Sequence, residues 1–128
     1  MTIRFVTKTV HAFLDYPVAL SLVATPFLLG VGASNPLALS LSVVTGVAAF
    51  ILTVFTDHKT GVVRILPYRL HVAVDRVVGL VFVTAPFLLG FHGLDAWYYW
   101  TNGIAVLLVT FVLNAPEGED RAVKSVHA

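Results

Sequence analysis

Apolar residues fill four long blocks, from Val10 to Val31, Leu37 to Phe55, about Pro67 to Phe91 and Ala96 to Leu113, and polar residues gather between them. At about 1.5 Å per residue, a helical block like the first crosses a hydrocarbon core of roughly 30 Å. The pattern predicts four transmembrane helices. Between the first two, Gly32-Ala33-Ser34-Asn35-Pro36 reads as a tight turn, and His92 to Asp95 is a short link between the last two. The helices therefore pair as two hairpins. Thr56 to Leu66 is a polar, basic central loop with Asp57, His58, Lys59 and Arg64; Gly61 is placed to end the second helix, and Pro67 suits the first turn of the third.

The stretch His11 to Gly30, HAFLDYPVALSLVATPFLLG, returns sixty residues later as HVAVDRVVGLVFVTAPFLLG, His71 to Gly90, with ten of twenty positions identical. The second helices match as well: GVAAFILTVF from Gly46 aligns with GIAVLLVTFV from Gly103, three residues out of step because the later turn is shorter. A helix pair used twice is the expected unit, repeat 1 over about 8–56 and repeat 2 over about 67–113. The expected fold is all-α, a polytopic four-helix membrane domain over 1–114 built of two tandem helical hairpins, followed by a polar tail over 115–128 with Glu117, Glu119, Asp120, Arg121 and Lys124. The first block, with His11 and Asp15 inside it and a copy at 71–90, reads as a span and not as a cleavable signal peptide.

Composition supports the membrane. The chain of 128 residues is 58% hydrophobic and 12% charged, where soluble domains carry about 25% charge. Such a surface needs lipid as its solvent. All eight Lys and Arg residues fall in the N-terminus, the central loop and its helix ends, or the tail, and neither outer turn has one. The positive-inside rule then puts both termini and the central loop in the cytoplasm and relates the two copies by an axis along the membrane normal, a parallel repeat. Trp97, Tyr98, Tyr99 and Trp100 read as an interfacial aromatic belt. Without cysteine, disulfides and thiolate sites are excluded. No phosphate loop, HExxH or nucleophile elbow is present, and the basic residues leave no nucleic-acid footprint.

Two consecutive helix pairs, each with His-x3-Asp early in its first helix and a Pro-aromatic pair before a Gly near its outer end, resemble the SPW-repeat family of small bacterial membrane proteins. The resemblance covers residues from about 8 to 113. The Ser-Pro-Trp of that family stands here as Thr25-Pro26-Phe27 and Ala85-Pro86-Phe87. It implies an integral protein of the bacterial inner membrane and supplies no activity.

The candidate polar site is His11, Asp15, His71 and Asp75, each pair at i,i+4 and so on one helical face, with each Asp able to reach its own His. Buried ionisable groups in a membrane point to function by default. Four readings stay open. In the leading one the pairs only hold the repeats together, with Arg64, Arg69 or Arg76 neutralising the aspartates, and the protein is not an enzyme. The others are a divalent metal or a haem held by His11 and His71, serving electron transfer or redox sensing, and a proton relay through Asp15 and Asp75 in a carrier that acts as an oligomer. Beyond the bilayer, the partners to expect are a second copy or another membrane protein. Pro26 and Pro86 are expected to bend their helices into the outer turns, freeing a carbonyl for a hydroxyl such as Thr25 or Thr84. Pro17 is expected to make the first helix the less regular one, and Asn102 to hydrogen-bond across the bundle. Gly46 and Gly103 signal close packing. His58, His92 and His127 read as solvated.

Overall fold

A computed structural model describes residues 3–116 of the chain, so most of the expected polar tail, with Glu117, Glu119, Asp120, Arg121, Lys124 and His127, lies outside the described residues. Four α-helices form there: α1 (Lys8–Leu29), α2 (Pro36–Phe55), α3 (Tyr68–Leu89) and α4 (Leu94–Leu107), the last continued by a π-turn over Leu108–Val112. Local chemistry sets their ends. Thr7 caps α1 by accepting from Val10 N–H, and Asn35 caps α2 by accepting from Leu37 N–H with Pro36 at the first helical position. Gly30 and Gly90 close α1 and α3 with φ of 74° and 70°, left-handed conformations open to a residue without Cβ.

α1, α2 and α3 are each long and apolar enough to cross a membrane, with mean hydropathies of 1.6, 2.3 and 2.0. Only 28%, 22% and 28% of those apolar windows are buried inside the molecule. The rest, including Leu28 at 82% and Leu88 at 79% exposure, must be covered by lipid tails. This is a membrane-embedded protein.

α1 packs along α2, and α3 along α4, while α2 and α3 touch more lightly. Two glycines set the close approach. A Cβ on Gly46 would meet Val23 Cγ2 at 2.7 Å and Ala19 O at 2.8 Å; one on Gly103 would meet Val83 Cγ2 at 2.8 Å and Gly79 O at 2.9 Å. Val23 and Val83, like Ala19 and Gly79, are sixty positions apart, so the same contact is made twice.

Two isolated bridges tie the segments flanking the helices: Thr56 with Leu66, and Val6 with Asn114. Val6 and Leu66 are sixty apart, but Thr56 and Asn114 are 58 apart, one more than the offset of 57 between Gly46 and Gly103. The π-turn absorbs that extra residue, Leu113 N–H bonding back to Leu108 O at 2.9 Å. Ala115, expected to begin the tail, is buried and donates its N–H to Val6 O at 2.9 Å.

Several expectations from the sequence are corrected. α2 ends at Phe55, and Gly61 lies within the loop, folded so closely over Thr56 that a Cβ would sit 1.9 Å from its carbonyl. Pro67 is the residue before the first turn of α3. α1 runs unbroken through Pro17 and Pro26. The carbonyl that Pro26 deprives of its helical donor, Leu22 O, accepts from Ser42 Oγ of α2 at 2.8 Å and not from Thr25. Thr84 donates to Leu80 and Val81 O within its own helix, as Asn102 does to Tyr98 O. The aromatic run divides by helical face: Trp97 is 67% exposed, whereas Tyr98 and Tyr99 are buried beside Phe82 and Phe91. Their hydroxyls bond α2, Tyr98 to Ser42 Oγ at 2.6 Å and Tyr99 to Ala38 O at 2.5 Å.

Candidate functional site

His11 and Asp15 lie one turn apart near the start of α1, and His71 and Asp75 lie likewise on α3. Each His does contact its own Asp, His11 Nε2 at 3.1 Å from Asp15 and His71 Nε2 at 3.3 Å from Asp75. The cross contacts are as close. His11 Nε2 is 2.9 Å from Asp75 Oδ2, and His71 Nε2 is 3.4 Å from Asp15 Oδ2. The two rings meet edge to face at 5.4 Å between centroids. One ligand atom from each of the four residues fits within a mutual separation of 4.8 Å.

A fifth group completes the cluster. His58, expected in solvent, is fully buried, and its Nε2 is 2.8 Å from Asp15 Oδ2. The central loop carries it there: Asp57 N–H donates to Leu66 O at 2.8 Å, which folds the loop back over the ends of α1 and α3. Thr56, the residue that follows the end of α2, donates its hydroxyl to Leu52 O at 2.6 Å. Its oxygen, 2.8 Å from His71 Nδ1, therefore accepts from that ring. Tyr68 closes the side, its ring edge-on to His11 at 5.6 Å. His11 Nδ1 and His58 Nδ1 are buried and meet no hydrogen-bond partner among the described residues.

Among the described residues, the ion pairs of Asp15 and Asp75 are all with histidines. Two of the arginines expected there are engaged elsewhere. Arg76 donates to Thr110 O at 2.8 Å and lies over the Phe111 ring, and Arg64 donates to Gly61 and Lys59 O. The imidazoles took their place because they stand on the inward faces, while Arg76, one residue past Asp75, turns about 100° away around the helix. His92, the other loop histidine described, is exposed.

A cleft of about 140 Å³ reaches all four paired residues and continues between Leu14 and Val18 of α1 and Ala105 and Val109 near α4, with Thr53, Asn102 and Thr110 as its polar lining. A haem between His11 and His71 does not fit. Both Nε2 atoms face the same two carboxylates at 2.9–3.4 Å, so Asp15 and Asp75 fill the plane a porphyrin needs.

Lipid-facing apolar helices around a buried ionic cluster define a small helical membrane protein. The chain belongs to the SPW repeat domain family, which matches residues 9–115. No curated protein and no solved structure matches it. The aromatics that replace the family's tryptophan face outward, Phe27 being 64% and Phe87 75% exposed. The prolines beside them, Pro26 and Pro86, are buried.

Proposed function

We propose that this is a non-enzymatic protein of the bacterial inner membrane, built as a bundle of two tandem hairpins in parallel repeat, in which the His/Asp cluster clasps one hairpin to the other. The crossed pairing carries the reading: His11 of the first repeat reaches Asp75 of the second at 2.9 Å, and His71 of the second reaches Asp15 of the first at 3.4 Å. At the same end the Val6–Asn114 and Thr56–Leu66 backbone bridges also join the two hairpins, while α2 and α3 touch lightly. Buried pairs of this kind contribute specificity of register more than net stability. The distribution of Lys and Arg supports a cytoplasmic position for the clasp, both termini and the central loop.

A double-mutant cycle tests the clasp. His11→Ala, Asp75→Asn and the double variant are unfolded in detergent with a chelator present, and a coupling of about 1–3 kcal/mol is expected between the two sites. Additivity within about 0.5 kcal/mol would remove the clasp. The cleft that reaches Asp15 and Asp75 favours a second reading, a proton-coupled carrier acting with a second copy. Proton flux in liposomes that stops in Asp75→Asn would move it ahead.

A further inference from the structure

The clasp has more contacts than protons. Five close approaches join three imidazole Nε2 atoms to two carboxylates, at 2.8, 2.9, 3.1, 3.3 and 3.4 Å. Each Nε2 carries at most one proton. Three protons must then serve five approaches, in a setting where unsatisfied polar atoms are costly. A cation at the centre of His11, Asp15, His71 and Asp75 satisfies four approaches at once and leaves His58 free to donate to Asp15 Oδ2.

The distances suit such an ion. With bonds of about 2.0–2.1 Å, the edges of a tetrahedral zinc site are roughly 3.3–3.4 Å; the two Nε2 atoms with the Oδ2 atoms of Asp75 and Asp15 give edges of 2.9, 3.3 and 3.4 Å, and the other Asp15 oxygen, Oδ1, is 3.1 Å from His11 Nε2. The second observation is the tautomer of His71. Because the Thr56 hydroxyl donates to Leu52 O, it accepts from His71 Nδ1–H, and in the neutral ring the lone pair is then on Nε2, facing both carboxylates. Metal-bound histidines are held in this way by a partner on the other nitrogen. His58 stands in the matching position beside a ligand carboxylate, 2.8 Å from Asp15 Oδ2. Two imidazoles with two carboxylates suit divalent first-row transition ions rather than calcium or magnesium, which take oxygen shells.

We propose that His11, Asp15, His71 and Asp75 form a four-coordinate site for a divalent first-row transition ion such as zinc, with Thr56 and His58 as positioning residues. The ion would bind the same atoms that form the clasp, bridging the helices more firmly than the shared protons. The site goes beyond the clasp, whose test is made with metal withheld.

The experiment is a Co²⁺ titration of the full chain in detergent after chelation, followed by displacement with Zn²⁺. One equivalent should give the intense visible absorption of tetrahedral cobalt, and zinc should abolish it. Asp75→Asn and His71→Ala should weaken binding at least about 100-fold, and His58→Gln about 10-fold with the spectrum retained. A helical wild-type chain that gives only the pale spectrum of octahedral cobalt overturns the site, and so does tetrahedral absorption that survives His71→Ala. Should the variants lose helicity, the zinc K-edge of the wild type decides. Two imidazoles in a four-coordinate N/O shell uphold the assignment, and one or none overturns it.

Discussion

Two buried carboxylate centres stand at opposite ends of the helices, and they are built on opposite plans. Asp95, in the first turn of α4, is 1% exposed and accepts from Gly32 N–H, Ser34 N–H and the Ser34 hydroxyl at 2.9, 2.9 and 2.5 Å. All three donors are backbone amides or a hydroxyl, none of which titrates near neutral pH. That centre is closed: it fastens the α1–α2 turn to the start of α4, where the helix dipole also favours an anion. Asn35, donating to Leu89 O at 3.0 Å, adds a second tie between the turns. At the other end the described ion pairs of Asp15 and Asp75 are all with imidazoles, side chains that can also serve as metal ligands. A carboxylate met by fixed donors anchors a fold; one met by histidines can change its occupant.

The sharpest way to break this contrast is Asp95→Ala. Leaving two backbone amides and a hydroxyl without their acceptor should cost about 3 kcal/mol, read from unfolding in detergent. Cobalt binding at the far end should stay intact. Loss of both together would mean that the two centres form one cooperative unit.

A smaller effect belongs to the middle of the molecule, which should answer to neither centre. Gly46→Ala and Gly103→Ala each force a Cβ to within 2.7–2.8 Å of a valine methyl on the facing helix, at a cost of about 1–3 kcal/mol. The two costs should agree closely, because the contacts match position for position, a valine methyl and a backbone carbonyl in each. A large inequality would show that one hairpin carries most of the stability.

The smallest effect is expected for Ser42→Ala. It removes the donor to Leu22 O and the partner of the Tyr98 hydroxyl, a loss of about 1 kcal/mol, comparable to one ordinary internal hydrogen bond. The repeat has no second serine there, since the position 57 residues on is Tyr99, which bonds Ala38 O instead. A larger loss would put Ser42 on a level with the Asp95 anchor.

Much of the site is legible in the sequence. The i,i+4 spacing of His11 with Asp15 and His71 with Asp75 put each pair on one face, and their recurrence sixty residues apart pointed to a cluster. The crossed contacts followed once α1 and α3 stood side by side. His58 could not be found by that route. The matching position in the second repeat is Pro116, so a search for repeated chemistry passes over it. Its one local signal was its place three residues after Phe55, where α2 ends. Tyr98 and Tyr99 misled for a different reason: four adjacent aromatics look alike in sequence, but at 100° per residue they cannot share a face.

The sequence alone determined the apolar runs, the turns between them, the repeat and the membrane setting. These depend on composition and on spacings of a few residues, which hydropathy and helical geometry govern locally. Tertiary structure decided which polar groups were buried and with whom. His58, Thr56 and Asp95 are placed by pairings between segments far apart in the chain, the loop closing on Leu66 and the α4 start docking on the first turn. Burying such groups is favourable only where distant partners satisfy them, and no local pattern records where those partners will stand.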